Sequence, residues 1–202
     1  MQLKLTPLFA LITLLSTTPA LSYRVTTTGY SNTVACQGAA LVCFNHNANT
    51  CCWMPVGYGF SVKYTGMPRG STGQGYRNKN SCYRDRSRLF TVYSDGTKCW
   101  SSGGFSRASW LKWNLPHPTT FMRIEGAGKE SMAGCDVVEP DVFRYHLPDG
   151  GMRAIKIPKA KGSAQEVVDL HAAGDYEALE EYEEHNGEHK EHEGEHEENY
   201  EY

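Results

Sequence analysis

Short segments of this chain alternate apolar and polar residues, and the alternation predicts β-strands. In residues 57–65 every second side chain is large and apolar, the period of a half-buried strand. Before residue 163 no stretch has a helical period of useful length. Many short strands with frequent turn residues predict an all-β fold, a small sandwich or a Greek-key barrel. The strands are predicted at residues 34–44, 57–65, 88–94, 97–100, 106–113, 120–125, 142–147 and 152–157.

Turn residues predict how these strands connect. Asp95-Gly96 is a strong hairpin signal, so residues 88–94 and 97–100 are expected to pair with each other. Pro148-Asp149-Gly150-Gly151 predicts a second hairpin near the end of the β domain. Residues 70–80 hold three glycines among polar residues, which indicates a loop or a strongly twisted edge.

The first 22 residues have the pattern of a secretory signal. A short positive start precedes an apolar stretch, and small residues follow, with cleavage expected after Ser22 or alternatively after Ala20. Prolines and hydroxyl residues interrupt the stretch, which argues against a membrane anchor and stable membrane insertion. We therefore expect a secreted, extracellular protein with a cysteine-rich β domain at residues 23–160.

Seven cysteines indicate a disulfide-stapled domain. Paired C-x-x-C spacings are absent from the sequence, which argues against a metal site built by cysteines. Cys51 and Cys52 are adjacent and are expected to bond to two different partners, but spacing does not fix the pairing. Three bridges leave one thiol, either buried or bridging to a second chain as a disulfide dimer. The cysteines are Cys36, Cys43, Cys51, Cys52, Cys82, Cys99 and Cys135.

Charge is divided sharply along the chain. Residues 36–113 contain ten basic residues and two aspartates, a net charge of +8. Residues 176–202 contain twelve glutamates and one lysine, a net charge of -11. Such a block of like charge repels itself and offers no core, so residues 161–202 are predicted to form a disordered acidic tail.

The basic segment predicts binding to an anionic or glycan target. If residues 84–88 are a strand, the three arginines that alternate there point to one side. The acidic tail would then compete for this basic face through an intramolecular contact, although a merely solubilising tail is an equally good interpretation. The predicted binding residues are Arg77, Lys79, Tyr83, Arg84, Arg86 and Arg88, with Tyr76 and Tyr83 considered for ring stacking.

Histidines in the tail suggest metal binding. Residues 192–196 match H-E-x-x-H, but glycines and the absence of apolar residues argue against a buried catalytic helix, so we interpret the match as compositional. A transient helix would align four histidines suited to Zn, Cu or Ni, and their protonation would weaken the hold of the tail on the basic face. The predicted ligands are His185, His189, His192 and His196.

Elsewhere the sequence gives little support for catalysis. Three other histidines and three carboxylates would suit an RNase-like hydrolase, but no spacing brings them together. We expect these histidines to be solvent-exposed, and we expect Trp100, Trp110 and Trp113 to pack in the core rather than form a sugar platform. The hydrolase candidates are His46, His117 and His146 with Glu125, Asp136 or Asp141.

One stretch resembles a known group of proteins. The order Cys51-Cys52-Trp53, residues 60–68, Gly73-Gln74-Gly75-Tyr76 and Cys82 is similar to small secreted cysteine-rich proteins of filamentous fungi. The resemblance covers about residues 36–113, implies an effector, toxin or wall-associated factor, and brings no established activity. The stretch around Asp95-Gly96 also resembles the Greek keys of killer-toxin-like proteins, without their aromatic-glycine signature. We predict a non-enzymatic binding protein, with a small hydrolase or a structural wall protein as alternatives.

Overall fold

A computed structural model describes residues 23–32, 35–77, 82, 85–93, 95–103, 106–115, 136–160 and 162–185. These residues form eleven strands, two α-helices and one 3-10 helix at Asp85–Ser87. The elements are β1 Val25–Tyr30, β2 Ala40–His46, β3 Cys51–Trp53, β4 Ser61–Met67, β5 Thr72–Tyr76, β6 Arg88–Tyr93, β7 Gly96–Ser101, β8 Trp110–Asn114, β9 Val137–Val138, β10 Val142–His146, β11 Met152–Lys156, α1 Ser163–Ala173 and α2 Tyr176–Glu180.

Two sheets enclose the core. The first sheet has the order β11-β10-β2-β1-β4-β7, and the second has the order β6-β5-β8-β3-β9. All neighbouring strands are antiparallel except β3 and β9. Inward side chains of both sheets, such as Leu41 and Val62 of the first and Leu111 and Trp113 of the second, belong to one buried cluster. The predicted all-β sandwich is confirmed.

The described part of the glycine-rich stretch at residues 70–80 is mostly strand, so the predicted loop or twisted edge is wrong there. This stretch contains β5, which lies inside the second sheet between β6 and β8. A methyl group on Gly73 would lie 2.9 Å from the ring of Tyr64, and one on Gly75 would overlap the ring of Phe90. These glycines therefore leave room for aromatic rings between the sheets, and the Tyr64 hydroxyl donates a hydrogen bond to the carbonyl oxygen of Gln74 at 2.7 Å.

The hairpin predicted at Asp95-Gly96 is wrong. β6 pairs with β5 in the second sheet, whereas β7 pairs with β4 in the first, so the chain crosses between sheets at this turn. The rings of Phe90 and Trp100 stack across the gap with centroids 3.9 Å apart, and stacking requires their strands to face each other. The second predicted hairpin is confirmed, since β10 and β11 pair with Phe143 opposite Ile155. The strand predicted at residues 120–125 lies outside the described residues.

The folded domain continues beyond residue 160, so the tail boundary predicted at residue 161 is wrong. Val167 of α1 and Leu179 of α2 are buried in the same cluster as Phe143 and Ile155. Apolar residues one helical turn apart bury one face of α1, and this burial outweighs the acidic composition around it. Residues 186–202 lie outside the described part. In that part neither helix is long and apolar enough to cross a membrane.

Three disulfides confirm the stapled domain. Cys36 bonds to Cys99, Cys43 to Cys52, and Cys51 to Cys82, so the adjacent pair does use two different partners. The six described cysteines are thus all paired with one another. Cys135 lies outside the described residues, and the predicted disulfide dimer through it stays a prediction.

Replacing Gly75 with alanine should destabilise the sandwich, because the new methyl group overlaps Phe90 inside the packed core. We expect the free energy of unfolding to fall by about 1 to 3 kcal/mol, measured by denaturant unfolding. In the double variant with Phe90→Leu, part of this loss should be recovered, because the smaller side chain frees the space. Strictly additive losses in the two variants would contradict this packing explanation.

Candidate functional site

Exposed arginines come together at one edge of the sandwich. The pairing of β5 with β6 places Tyr76 opposite Arg88, and the backbone N–H of Arg77 donates to the carbonyl oxygen of Ser87 at 2.8 Å. These two contacts fold the chain so that Arg77, Arg86 and Arg88, all exposed, lie around the same strand ends. We call these three arginines the basic edge.

The basic edge differs from the predicted arrangement. Arg86 lies in the 3-10 helix and Arg88 begins β6, so the arginines of residues 84–88 do not alternate along one strand. Arg77 joins them through strand pairing, which the spacing of residues in the sequence does not reveal. The other predicted binding residues, Lys79, Tyr83 and Arg84, lie outside the described part of the chain.

Aromatic residues near the basic edge are mostly buried. Tyr76 is only 3% exposed and packs with the Cys51–Cys82 disulfide, next to a half-buried Trp110. Tyr76 is therefore a core residue, the more common use of an aromatic side chain in a β domain, and it does not serve for ring stacking. Trp113 is fully buried and its Nε1 donates to the carbonyl oxygen of His46 at 3.0 Å, as expected for a core residue.

The acidic C-terminal residues contact the opposite edge of the first sheet. The backbone N–H of Lys156 donates to Glu183 O, and that of His185 donates to Ala154 O, both at 2.8 Å. The Lys156 ammonium also pairs with the Glu183 carboxylate. Residues 181–185, which we call the strap, thus extend the first sheet beyond β11. The other side of this sheet ends at β7, whose Trp100 stacks on Phe90 of β6, the strand of the second sheet that Arg88 begins. Shielding of the basic edge by residues 186–202 stays a prediction.

A groove of about 1100 Å³ lies between the strap and the ends of β2, β10 and β11. The Asp141 carboxylate accepts a hydrogen bond from the backbone N–H of Phe44 at 2.8 Å and pairs with the Lys159 ammonium. Three rings line the groove, with those of Phe44 and His185 tilted by 32° and their centroids 5.1 Å apart. Its lining includes Phe44, Asp141, Lys159, Glu181, Tyr182 and His185.

The sequence did not reveal this groove. Its residues come from four separate segments of the chain, and those of the strap lie inside a run of glutamates that we interpreted as tail. One signal was present, since Leu179 and Tyr182 are apolar or aromatic residues three positions apart within that run. Such spacing is typical of a segment that packs against a domain.

His46 is buried, so its predicted solvent exposure is wrong. Its Nε2 lies 3.1 Å from the Thr27 hydroxyl oxygen, and the residue is 6% exposed. Burial lowers the pKa of His46 from 6.5 to about 4, while the negative charge of Asp141 acts more weakly in the opposite direction. His46 is therefore neutral at pH 7.

Among the described candidates for an acid-base pair, Asp141 is close enough to His46 to act on its charge, but His46 and His146 do not come together. β2 and β10 run antiparallel with Val42 opposite Val142 and Ala40 opposite Arg144. This register places His46 and His146 at opposite ends of the strand pair. His146 is exposed as expected. His117 and Glu125 lie outside the described residues.

Only one of the four predicted metal ligands lies among the described residues. His185 lies in the strap, and His189, His192 and His196 belong to the undescribed residues. Across the described ranges, the side chains of His, Cys, Asp and Glu form no group of three or more that could hold a metal ion. Binding of Zn, Cu or Ni by the tail therefore stays a prediction.

Comparison with known proteins gives one match. The model of a family named ARB_05566_N, described as an N-terminal domain, matches residues 26–141, more than half of the chain. No curated protein and no solved structure matches. The matched range ends just before β10, although β10 pairs with β2 inside the first sheet.

We predict that His46 makes the protein less stable in acid. In the unfolded state His46 becomes protonated below about pH 6.5, whereas in the folded state it becomes protonated only near pH 4. The free energy of unfolding should therefore fall by about 3 kcal/mol between these pH values. Denaturant unfolding at pH 7, 5.5 and 4 measures this loss. His46→Gln should flatten the pH dependence, and His146→Gln, at an exposed position, should not. An unchanged pH dependence in His46→Gln would refute the prediction.

Proposed function

The chain belongs to the ARB_05566_N family, and we propose that it is a secreted, non-enzymatic protein that binds an acidic polysaccharide through the basic edge. The observation that carries the proposal is the pairing of β5 with β6, which gathers Arg77, Arg86 and Arg88. A guanidinium group forms two parallel hydrogen bonds with a carboxylate or a sulfate, so three neighbouring arginines suit a polymer that repeats such groups.

The surroundings of the basic edge favour a polysaccharide over a single-stranded nucleic acid. Proteins that bind unpaired bases combine positive charge with aromatic rings on which the bases stack. Tyr76, the described ring closest in sequence to these arginines, is buried beside a disulfide. Trp110, which is paired with Tyr76, is half-buried. The described part of the edge thus offers charge and hydrogen-bond donors but no fully exposed ring beside the arginines.

Secretion is supported by the N-terminal segment and by the disulfides. A positive start, an apolar stretch and small residues precede β1, and three disulfides are typical of proteins that fold in an oxidising compartment. The resemblance of residues 36–113 to small secreted cysteine-rich fungal proteins supports an effector or toxin-like role at a cell surface.

The acidic tail acts as a competitor for the basic edge in this proposal. Residues 186–202 contain seven glutamates and one lysine, so they carry the charge that the arginines bind. Their three histidines lower this negative charge as they become protonated below about pH 6.5. Acid would therefore release the basic edge for its polysaccharide target.

Substituting the three arginines of the basic edge with glutamine should weaken binding to heparin or polygalacturonate. Each lost contact lowers the slope of log K against log salt, by about 0.7 to 0.9 for a polyanion with the charge density of a nucleic acid, so the triple variant should show a clearly smaller slope. Affinity measurements at several salt concentrations, with the protein starting at residue 23, test this expectation.

A matched control removes three positive charges elsewhere. Arg24→Gln, Arg153→Gln and Lys159→Gln change the net charge equally, and two of these residues lie near the β11 side of the first sheet. Equal losses in both triple variants would refute a specific basic edge. Tighter binding to single-stranded RNA than to either polysaccharide would assign the edge to nucleic acid instead.

A further inference from the structure

We propose that the groove beneath the strap is a second binding site, and that its ligand is a neutral oligosaccharide. The groove has a volume of about 1100 Å³, slightly above the range of about 300 to 1,000 Å³ that is typical of ligand sites. It lies by β11, at the other end of the first sheet from β7, so it is separate from the basic edge.

Two ammonium groups and three carboxylates line the groove, so its net charge is negative. Lys159 pairs with Asp141, and Lys156 pairs with Glu183, while Glu181 adds the third carboxylate. An anionic ligand would meet this negative charge and compete with Asp141 and Glu183 for their ammonium partners, whereas an uncharged ligand leaves both ion pairs intact. The sign of its charge distinguishes the groove from the basic edge.

Aromatic rings provide the surfaces that sugars prefer. The partly exposed rings of Phe44, Tyr182 and His185 line the groove. The Arg144 guanidinium lies 6.0 Å from the centroid of the Phe44 ring, which helps to hold that ring in place. A sugar has apolar C–H faces and hydroxyl groups at its edges. It therefore matches aromatic rings that are surrounded by polar groups better than a purely apolar ligand does.

Polar groups around the rings match the hydroxyl groups of a sugar. Glu181 and Asn45 are exposed on the groove wall and supply carboxylate and amide groups. The Tyr182 hydroxyl is protonated at neutral pH and can donate a hydrogen bond. The groove thus combines stacking surfaces with both donors and acceptors.

The experiment is titration of the protein with neutral hexasaccharides of β-1,3-glucose, β-1,4-glucose, N-acetylglucosamine and mannose, monitored by calorimetry. We expect at least one of them to bind, with an affinity that is unchanged between low and high salt because no charges are exchanged. Tyr182→Ala should weaken this binding about tenfold or more, as truncation of a central aromatic contact does. Phe44→Leu keeps an apolar side chain in place and should weaken it without unfolding the sheet.

Controls separate this site from the basic edge. Tyr93→Ala removes a ring that is 74% exposed at the far end of β6, and it should leave oligosaccharide binding unchanged. The triple arginine variant should also bind the oligosaccharide normally while losing the acidic polysaccharide. Loss of oligosaccharide binding in that variant would overturn the inference and leave only one site.

Absence of binding for all four oligosaccharides overturns the inference. Binding that Tyr182→Ala and Phe44→Leu leave unchanged would also overturn it, because the oligosaccharide would then lie elsewhere.

Discussion

The disulfide between Cys43 and Cys52 is the constraint on which the rest of the sandwich depends. It joins β2 of the first sheet to β3 of the second through fully buried sulfur atoms, with only nine residues of separation. In the chain-entropy model a loop of this length contributes about 2 to 3 kcal/mol. Because Cys52 faces inward, the adjacent Cys51 faces the other side of β3 and bonds there to Cys82. That second bond holds the chain beside the 3-10 helix, so the position of the basic edge follows from the first bridge.

The second layer of the sandwich is completed by helices rather than strands. The second sheet ends at β9, and α1 and α2 pack against the side chains of β10 and β11. His171 of α1 meets the ring of Phe143 edge-on at 5.1 Å, and Tyr176 of α2 stacks near Tyr145 at 6.2 Å. The chain then returns along β11 as the strap, because the edge of β11 has backbone groups that need partners. The groove is a consequence of this return, since the strap forms one of its walls.

The sequence was sufficient where the controlling interactions are local. The β10–β11 hairpin follows from alternation and a Pro-Asp-Gly-Gly turn, and the separate partners of Cys51 and Cys52 follow from their adjacency. The sequence was insufficient where contacts between distant segments determine the structure. Gly75 has the composition of a loop residue, but its role is to leave room for the ring of Phe90. Asp95-Gly96 joins two sheets because rings from β6 and β7 stack between them. The arrangement of the basic edge and the existence of the groove could not be predicted for the same reason, because each combines residues from separate segments of the chain.

The distance between the two ends of the sandwich bears on whether the acidic tail can reach the basic edge. The strap extends the six strands of the first sheet by one, so six intervals of about 4.8 Å separate it from β7, about 29 Å in all. The seventeen residues that follow His185 in the sequence would span about 26 Å as a helix and about 60 Å when fully extended. An extended conformation is therefore long enough to cross the sheet from the strap to the side of β7, whereas a helix is too short. The strap therefore fixes where the tail begins, and its length permits the competition that the opposite charges of tail and arginines favour.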